Sequence, residues 1–415
     1  MGKLTEFAIL FDNNQEVFYP GQNMSGCVVM VLSSPMEMRG IKVTAQGKGE
    51  CHWSEKTGTG DDRHTHHYRG SENLFEFQLW VHGNSAKFTN EAGRFFFPFN
   101  FILPPVLPSS FEGFHGHIRY KVFAEIDKPW KFNDKTTRAF SINELIDTNL
   151  PNYNSVQPNG STHKDVGCCC CAAGPLDLKA SIDRSAYCPG ELILITAEAL
   201  NNTTRNMAGM KAQLYKHIEY IASHKRKCCS EKIAEIQGPQ IPKGKSDSWL
   251  NQPFLIPATC PTIFTSSVIK VWYELCVEID VSWGFDPTVR MQIIMGTVPH
   301  FSTYCQPGAS FQPNQFQPYP ELQSQTPNGF MGYPLMSPPL YVPMVGATAT
   351  NISDENDAKT FGDLNFIPVY AFNNMQQPQI NGLPVTNQLS PVVEQQPVNP
   401  MLLSQPPPTS YGSTN

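Results

Sequence analysis

The feature that most narrows what this chain can fold into is an internal duplication. Phe101-Ile102-Leu103-Pro104 returns as Phe254-Leu255-Ile256-Pro257, and Glu125-Ile126-Asp127 returns as Glu278-Ile279-Asp280, both displaced by 153 residues. Earlier in each copy, Tyr19-Pro20-Gly21 matches Cys188-Pro189-Gly190 and Gly40-Ile41 matches Gly209-Met210, now displaced by 169. The 16-residue difference is an insertion in the first copy. We expect it in the Gly-, His- and Asp-rich stretch from Ser54 to Gly70, as a long surface loop. Within each copy the hydrophobic period is two. Ile118, Tyr120, Val122, Ala124 and Ile126 fall on one face, as do Val271, Tyr273, Leu275, Val277 and Ile279, which is the signature of half-buried strands. Helix signals reduce to two short stretches, Asn143 to Asp147 and Ser230 to Glu235, and neither has the length or period of a core helix. The expected fold is all-β: two immunoglobulin-like antiparallel β-sandwiches in tandem, over 1–147 and 175–300, joined by a Cys-containing linker over 148–174.

Proline marks where that pattern stops. Of 36 prolines in 415 residues, 18 follow His300, in a stretch with seven charged side chains and abundant Gln and Asn. Such a segment buries too little apolar surface to offset its ordering entropy, so 301–415 is expected to be a disordered tail with polyproline II character. The remaining body holds 29 basic and 30 acidic residues, and the whole chain carries a net charge of −6. That balance argues against non-specific nucleic-acid binding, which draws its affinity from cations on phosphates. No apolar run approaches the roughly 18 residues that span a bilayer. The N-terminus lacks the apolar core of a signal peptide and sets Thr5 one position too early for myristoylation. A cytoplasmic chain with its 12 cysteines reduced is the expectation. The chain contains no Gly-rich phosphate loop, no Gly-x-Ser-x-Gly elbow and no His-Glu-x-x-His, so we read it as neither an enzyme nor a cofactor protein.

Several spaced elements carry a family resemblance. Pro20-Gly21, Ser110-Phe111-Glu112-Gly113, Gly116-His117-Ile118-Arg119-Tyr120, Lys128-Pro129-Trp130, the cysteines before Gly174-Pro175-Leu176, Tyr187-Cys188-Pro189-Gly190 and Gly296-Thr297-Val298-Pro299 together resemble the α-arrestins, the arrestin-domain-containing family. The resemblance covers residues 5 to 300. It implies two arrestin sandwiches and a tail, acting as an adaptor between the cytosolic tails of membrane receptors or transporters and HECT-type ubiquitin ligases with WW domains. Recruitment to the plasma membrane and endosomes, cargo ubiquitination, endocytosis and protein transport are further implications. A trafficking or signalling scaffold that works without a ligase is the alternative. One branch of the family uses a cysteine of the second sandwich in a mixed disulfide with thioredoxin. The corresponding stretch here, Ile236 to Trp249, has no Cys, so that role does not carry over.

The tail motif has its own chemistry. Ser337-Pro338-Pro339-Leu340-Tyr341 is one full PPxY element: the prolines pre-set an extended helix that docks in an aromatic groove with little entropy lost, and the tyrosine fixes polarity. Pro338, Pro339, Leu340 and Tyr341 are therefore the WW-binding candidates. Pro368-Val369-Tyr370 has one proline only, and Pro407-Pro408-Thr409-Ser410-Tyr411 one residue too many, so Pro368, Tyr370, Pro407, Pro408 and Tyr411 are auxiliary contacts at most. Family members often carry two full motifs; this chain has one. The run His224-Lys225-Arg226-Lys227 reads either as a solvated hairpin loop or as a patch (Lys225, Arg226, Lys227) for phosphorylated tails or anionic lipid heads. Cys168, Cys169, Cys170 and Cys171 admit three readings: palmitoylation with peripheral membrane association, metal binding, or thiols at the start of the second sandwich. Adjacent cysteines in an extended chain point opposite ways, which disfavours metal. Cys228-Cys229 admits the same readings, and His52, His64, His66 and His67 are expected to be solvent-exposed rather than metal ligands.

Overall fold

Alternating apolar residues make strands here because each strand has two unlike faces, and only pairing two sheets face to face hides the apolar one. The computed structural model describes the chain apart from residues 1–3, 59–62, 131, 156, 169–170, 282–284, 301–339, 344–367 and 373–415. The first sandwich comprises β1 (Leu4–Phe11), β2 (Val17–Phe18), β3 (Asn23–Leu32), β4 (Met36–Thr57), β5 (His64–Asn90), β6 (Gly93–Ile102), β7 (Phe111–Gly113), β8 (Gly116–Asp127) and β9 (Asp134–Ile142). The second comprises β10 (Asn159–Cys168), β11 (Cys171–Ile182), β12 (Ala186–Tyr187), β13 (Leu192–Asn201), β14 (Gly209–Ile221), β15 (Arg226–Gln237), β16 (Lys245–Leu255), β17 (Ile269–Asp280) and β18 (Thr288–Met295). Sheet orders are β1-β3-β6 against β2-β9-β8-β4-β5, then β10-β11-β13-β16 against β12-β18-β17-β14-β15. The expected all-β pair of sandwiches is what forms.

The duplication extends to single bonds. Parallel pairing of β2 with β9 at Val17↔Ser141 recurs between β12 and β18 at Ala186↔Ile294, keeping both displacements. The Leu103 amide donates to Gln22 O at 3.0 Å, and the Ile256 amide donates to Glu191 O at 3.0 Å. The Tyr120 hydroxyl donates to Pro108 O at 2.6 Å, while Tyr273 donates to Cys260 O at 2.5 Å. After β8 the Lys128 amide donates to Asn133 Oδ1, and after β17 the Val281 amide donates to Asp286 Oδ1. Ile118 to Ile126 and Val271 to Ile279, at every second position, are 0 % exposed in both strands. Each large apolar side chain so buried contributes about 1.5–3 kcal/mol relative to exposure. Pro98 and Pro253 lie within strands, yet both occupy β6 and β16, edge strands where a missing N–H costs no ladder bond.

Three local expectations change. Ser54 to Gly70 is not a long surface loop: β4 and β5 continue their ladder to Thr57↔His64, so the insertion mainly lengthens a hairpin. The added ribbon has something to bury, since Trp53 stacks on Tyr68 (centroids 5.4 Å) and Lys225 of the second sandwich lies over Tyr68 at 5.1 Å. Ser230 to Glu235 is strand within β15, and Asn143 to Asp147 is irregular apart from a bridge at Asp147. The α-helix among the described residues is the four-residue Pro151–Asn154. Finally, the stretch 148–174 is not linker throughout, because β10 adds an edge strand on β11 from Asn159↔Ser181 to Cys168↔Cys171. An edge strand needs one hydrogen-bonding neighbour and no apolar face, so a polar sequence such as Asn159-Gly160-Ser161-Thr162-His163-Lys164 gives no alternation to read.

Polar clamps tie the two sandwiches together, beside an apolar core that is contiguous across both. Glu72 Oε2 accepts from Ser266 Oγ and from the Ser267 amide, both at 2.8 Å. Glu144 Oε2 accepts from Thr265 Oγ1 at 3.1 Å, and Thr297 Oγ1 donates to Glu144 O at 2.8 Å. Burial at this junction pushes the Glu144 carboxyl above its usual pKa. Among the described residues no helix is long and apolar enough to cross a membrane.

Candidate functional site

The most informative arrangement in the molecule lies where the segment after the second sandwich returns to the body. Two further strands, β19 (Leu340–Pro343) and β20 (Val369–Phe372), pair antiparallel, with Tyr341↔Ala371 and Val342↔Tyr370 in register. β20 is anchored. Tyr370 is 4 % exposed and belongs to the contiguous core, and its hydroxyl donates to Ser110 O at 2.7 Å. The Val369 amide donates to Ser141 Oγ at 3.1 Å, and Pro368 is buried beside them.

The socket is built from segments the first sandwich already holds rigid. Ser110 donates its amide to Ile142 O at 2.8 Å and accepts the Ile142 amide on its Oγ at 2.9 Å, which leaves the Ser110 carbonyl aimed at Tyr370. Ser141 is held by its amide on Glu16 O at 2.8 Å. Next to Ser110, the β7–β8 turn is closed by a bidentate pair: Arg119 Nε and Nη2 donate to Glu112 Oε1 and Oε2 at 2.5 and 2.9 Å. Tyr370 joins the contiguous apolar core that also takes in residues of the second sandwich. Burial pushes the Tyr370 hydroxyl well above the ordinary tyrosine range, with Cys260 and Glu112 adding to the shift. It is a neutral hydrogen-bond donor at any physiological pH.

The residues singled out in the sequence fall in several places. Leu340 and Tyr341 lie in β19, whereas Pro338 and Pro339 lie outside the described residues, as do Pro407, Pro408 and Tyr411. Tyr370, read from the sequence as an auxiliary contact at most, is turned into the body with Pro368, where its hydroxyl meets a buried acceptor and its ring joins the apolar core. Lys225 to Lys227 sit at the turn between β14 and β15, where the Ala222 amide donates to Lys225 O at 2.9 Å. Lys225 pairs with Glu55, and Arg226 with Glu219 at 3.3 Å, so acids already face two of the three cations. Cys168 and Cys171 pair across the β10–β11 ladder; Cys169 and Cys170 lie outside the described residues. Cys228 is exposed and Cys229 half-buried on β15. His52 and His67 stack parallel at 5.7 Å on the long hairpin, and no cluster of His, Cys, Asp or Glu with metal-binding geometry occurs among the described residues.

Sequence reasoning missed the socket. Ser110 and Ser141 are ordinary serines in the sequence, and a lone Pro-x-Tyr has no periodicity to mark it as strand. The element Ser110-Phe111-Glu112-Gly113 was the nearest signal, and its Ser110 carbonyl is the acceptor for the Tyr370 hydroxyl.

Comparison with known proteins agrees with the architecture. The family model for the arrestin (or S-antigen) N-terminal domain matches residues 7–149, and that for the arrestin C-terminal domain matches residues 172–300. Mouse arrestin domain-containing protein 4 is 28 % identical over 307 residues, covering 72 % of this chain and 73 % of the relative. Arrestin domain-containing protein 17 of Caenorhabditis elegans is 28 % identical over 317 residues, 73 % of this chain and 72 % of its own. Mouse thioredoxin-interacting protein is 24 % identical over 298 residues, 71 % and 74 % of the two chains. The role that these matches support is that of an arrestin-type adaptor in trafficking. Two tandem arrestin sandwiches, matched along their length and in their order, place this chain in the α-arrestin family of arrestin-domain-containing proteins.

Proposed function

We propose that this chain is a non-enzymatic adaptor linking membrane receptors or transporters to WW-domain HECT-type ubiquitin ligases, so that cargo is ubiquitinated, internalised and passed along endosomes. The observation that carries this reading is the full PPxY element Ser337-Pro338-Pro339-Leu340-Tyr341 following an arrestin body. Proline-rich segments bind WW grooves with little conformational entropy to lose, and a tyrosine three positions after the first proline falls on the same face of a three-residue-per-turn helix. A single motif engages transiently, without the gain in effective concentration that two would bring. For the cargo side, β6, β10 and β16 are edge strands, and an extended cytosolic tail can add to such an edge through main-chain hydrogen bonds. Membrane recruitment then follows from the cargo.

A pull-down with isolated WW domains, comparing the full chain with Tyr341→Ala, tests the ligase half. Binding by the parent that is lost in the variant is expected. Absence of binding by either form, with an excised PPxY peptide also failing to bind, favours the scaffold that works without a ligase.

A further inference from the structure

The PPxY tyrosine and the buried tyrosine are on neighbouring, hydrogen-bonded strands. From that juxtaposition we propose that the junction beside Ser110 and Ser141 is a strand-docking site whose occupant is the chain's own segment 368–372, and that this docking withholds the PPxY motif from WW domains. The second half rests on the ligase-adaptor reading; the first half does not.

Docking is specific in its chemistry. A free-floating Pro-Val-Tyr would keep its hydroxyl and amide on water. Here the Tyr370 hydroxyl goes to Ser110 O, the Val369 amide goes to Ser141 Oγ, and the ring is 4 % exposed. Both acceptors belong to the first sandwich, and Tyr370 lies within the contiguous buried core that also takes in residues of the second sandwich. What it recognises is an extended segment carrying a tyrosine one residue after a donating backbone amide.

The link to the motif is one of periodicity. A WW groove takes the motif as polyproline II, with three residues per turn and its backbone groups unpaired, so Pro338 and Tyr341 share a face. In β19 the backbone is committed to a ladder with β20, pairing Leu340↔Phe372 and Tyr341↔Ala371, and a strand repeats every two residues. Leu340 and Tyr341 cannot satisfy both geometries at once. WW binding therefore requires β19 to leave β20, and β20 is pinned by Tyr370. When the competent form is a minority, apparent affinity falls by its fractional population.

The test uses the full chain, its Tyr370→Ala and Tyr370→Phe variants, and a synthetic peptide of residues 333–345, each titrated with an isolated WW domain. In parallel, amide hydrogen exchange is followed at residues 369–372. The parent is expected to bind about tenfold or more weakly than the peptide, which corresponds to a motif free in a tenth or less of molecules. Tyr370→Ala should recover the peptide's affinity, with Tyr370→Phe between, because it keeps the ring and loses only the bond to Ser110. Equal affinity for parent, Tyr370→Ala and peptide would overturn the withholding. If the peptide itself fails to bind, the ligase reading falls and the exchange data decide the docking alone. Protection at Val369, whose amide bonds Ser141, that vanishes in Tyr370→Ala supports it, and absence of protection there in the parent refutes it. An unchanged melting temperature of the sandwiches in Tyr370→Ala keeps a folding defect from being mistaken for release.

Discussion

Replacing Arg119 with Met removes one half of the bidentate pair that closes the β7–β8 turn. Arg119 is 4 % and Glu112 15 % exposed at the side chain, so the carboxylate left behind has little water to replace its partner. Breaking a buried pair in this way costs about 3–5 kcal/mol, mostly the penalty of an uncompensated charge. Since Glu112 keeps some solvent contact, the lower end, about 3 kcal/mol, is expected. For a unit of this size about 1 kcal/mol moves the melting temperature by ~2–4 °C, so a fall of roughly 6–12 °C should be seen. The double variant Glu112→Leu/Arg119→Met replaces both charges with apolar groups and should return to within about 1 kcal/mol of the parent. Urea unfolding of the four proteins completes a double-mutant cycle, whose coupling energy should be about 2 kcal/mol or more. A single variant that costs under about 1 kcal/mol, or a double variant that costs the sum of the two singles, would refute the idea that this pair is buried and interdependent.

Two further outcomes follow from the duplicated scaffold and its charges. Gly40 and Gly209 occupy matching positions with φ of +148° and +137°, and an added Cβ would lie 2.4 Å from His82 O and 2.5 Å from Pro239 O. Gly40→Ala and Gly209→Ala should each destabilise by about 1–3 kcal/mol in urea titrations, and a neutral result at either would sink the equivalence of the two sites. Glu50 is held at about 2, below the usual 4.5, by the hydrogen bond with His117 and, against the opposing effect of burial, by Lys48. Its folded pKa is depressed, so its stabilising contribution is complete above pH 4.5 and disappears as pH falls toward 2. Glu50→Gln should therefore flatten the loss of melting temperature across that window, and an unchanged acid profile would contradict the assignment.

How much was legible varied with how local the physics was. The strand runs around Tyr120 and Tyr273 announced themselves because burial on one face of a strand repeats every second residue, whatever the strand packs against. The displacements of 153 and 169 announced the second copy, and with it the paired tyrosine and Pro-Gly bonds. Reading Ser54 to Gly70 as a loop went astray because the polar face of a two-stranded ribbon looks like a loop until Trp53, Tyr68 and Lys225 are brought together. β10 escaped notice because an edge strand on a sheet can be polar on both faces.

The amino-acid order alone thus determined the tandem sandwich pair and the proline-rich character of the tail, since these depend on period, turn chemistry and composition. Tertiary structure alone decided that Tyr370 turns inward and that β19 has a partner. Those outcomes hang on a carbonyl at Ser110 and a hydroxyl at Ser141, which are more than 220 residues away along the chain and become neighbours of the tail only once the first sandwich has formed.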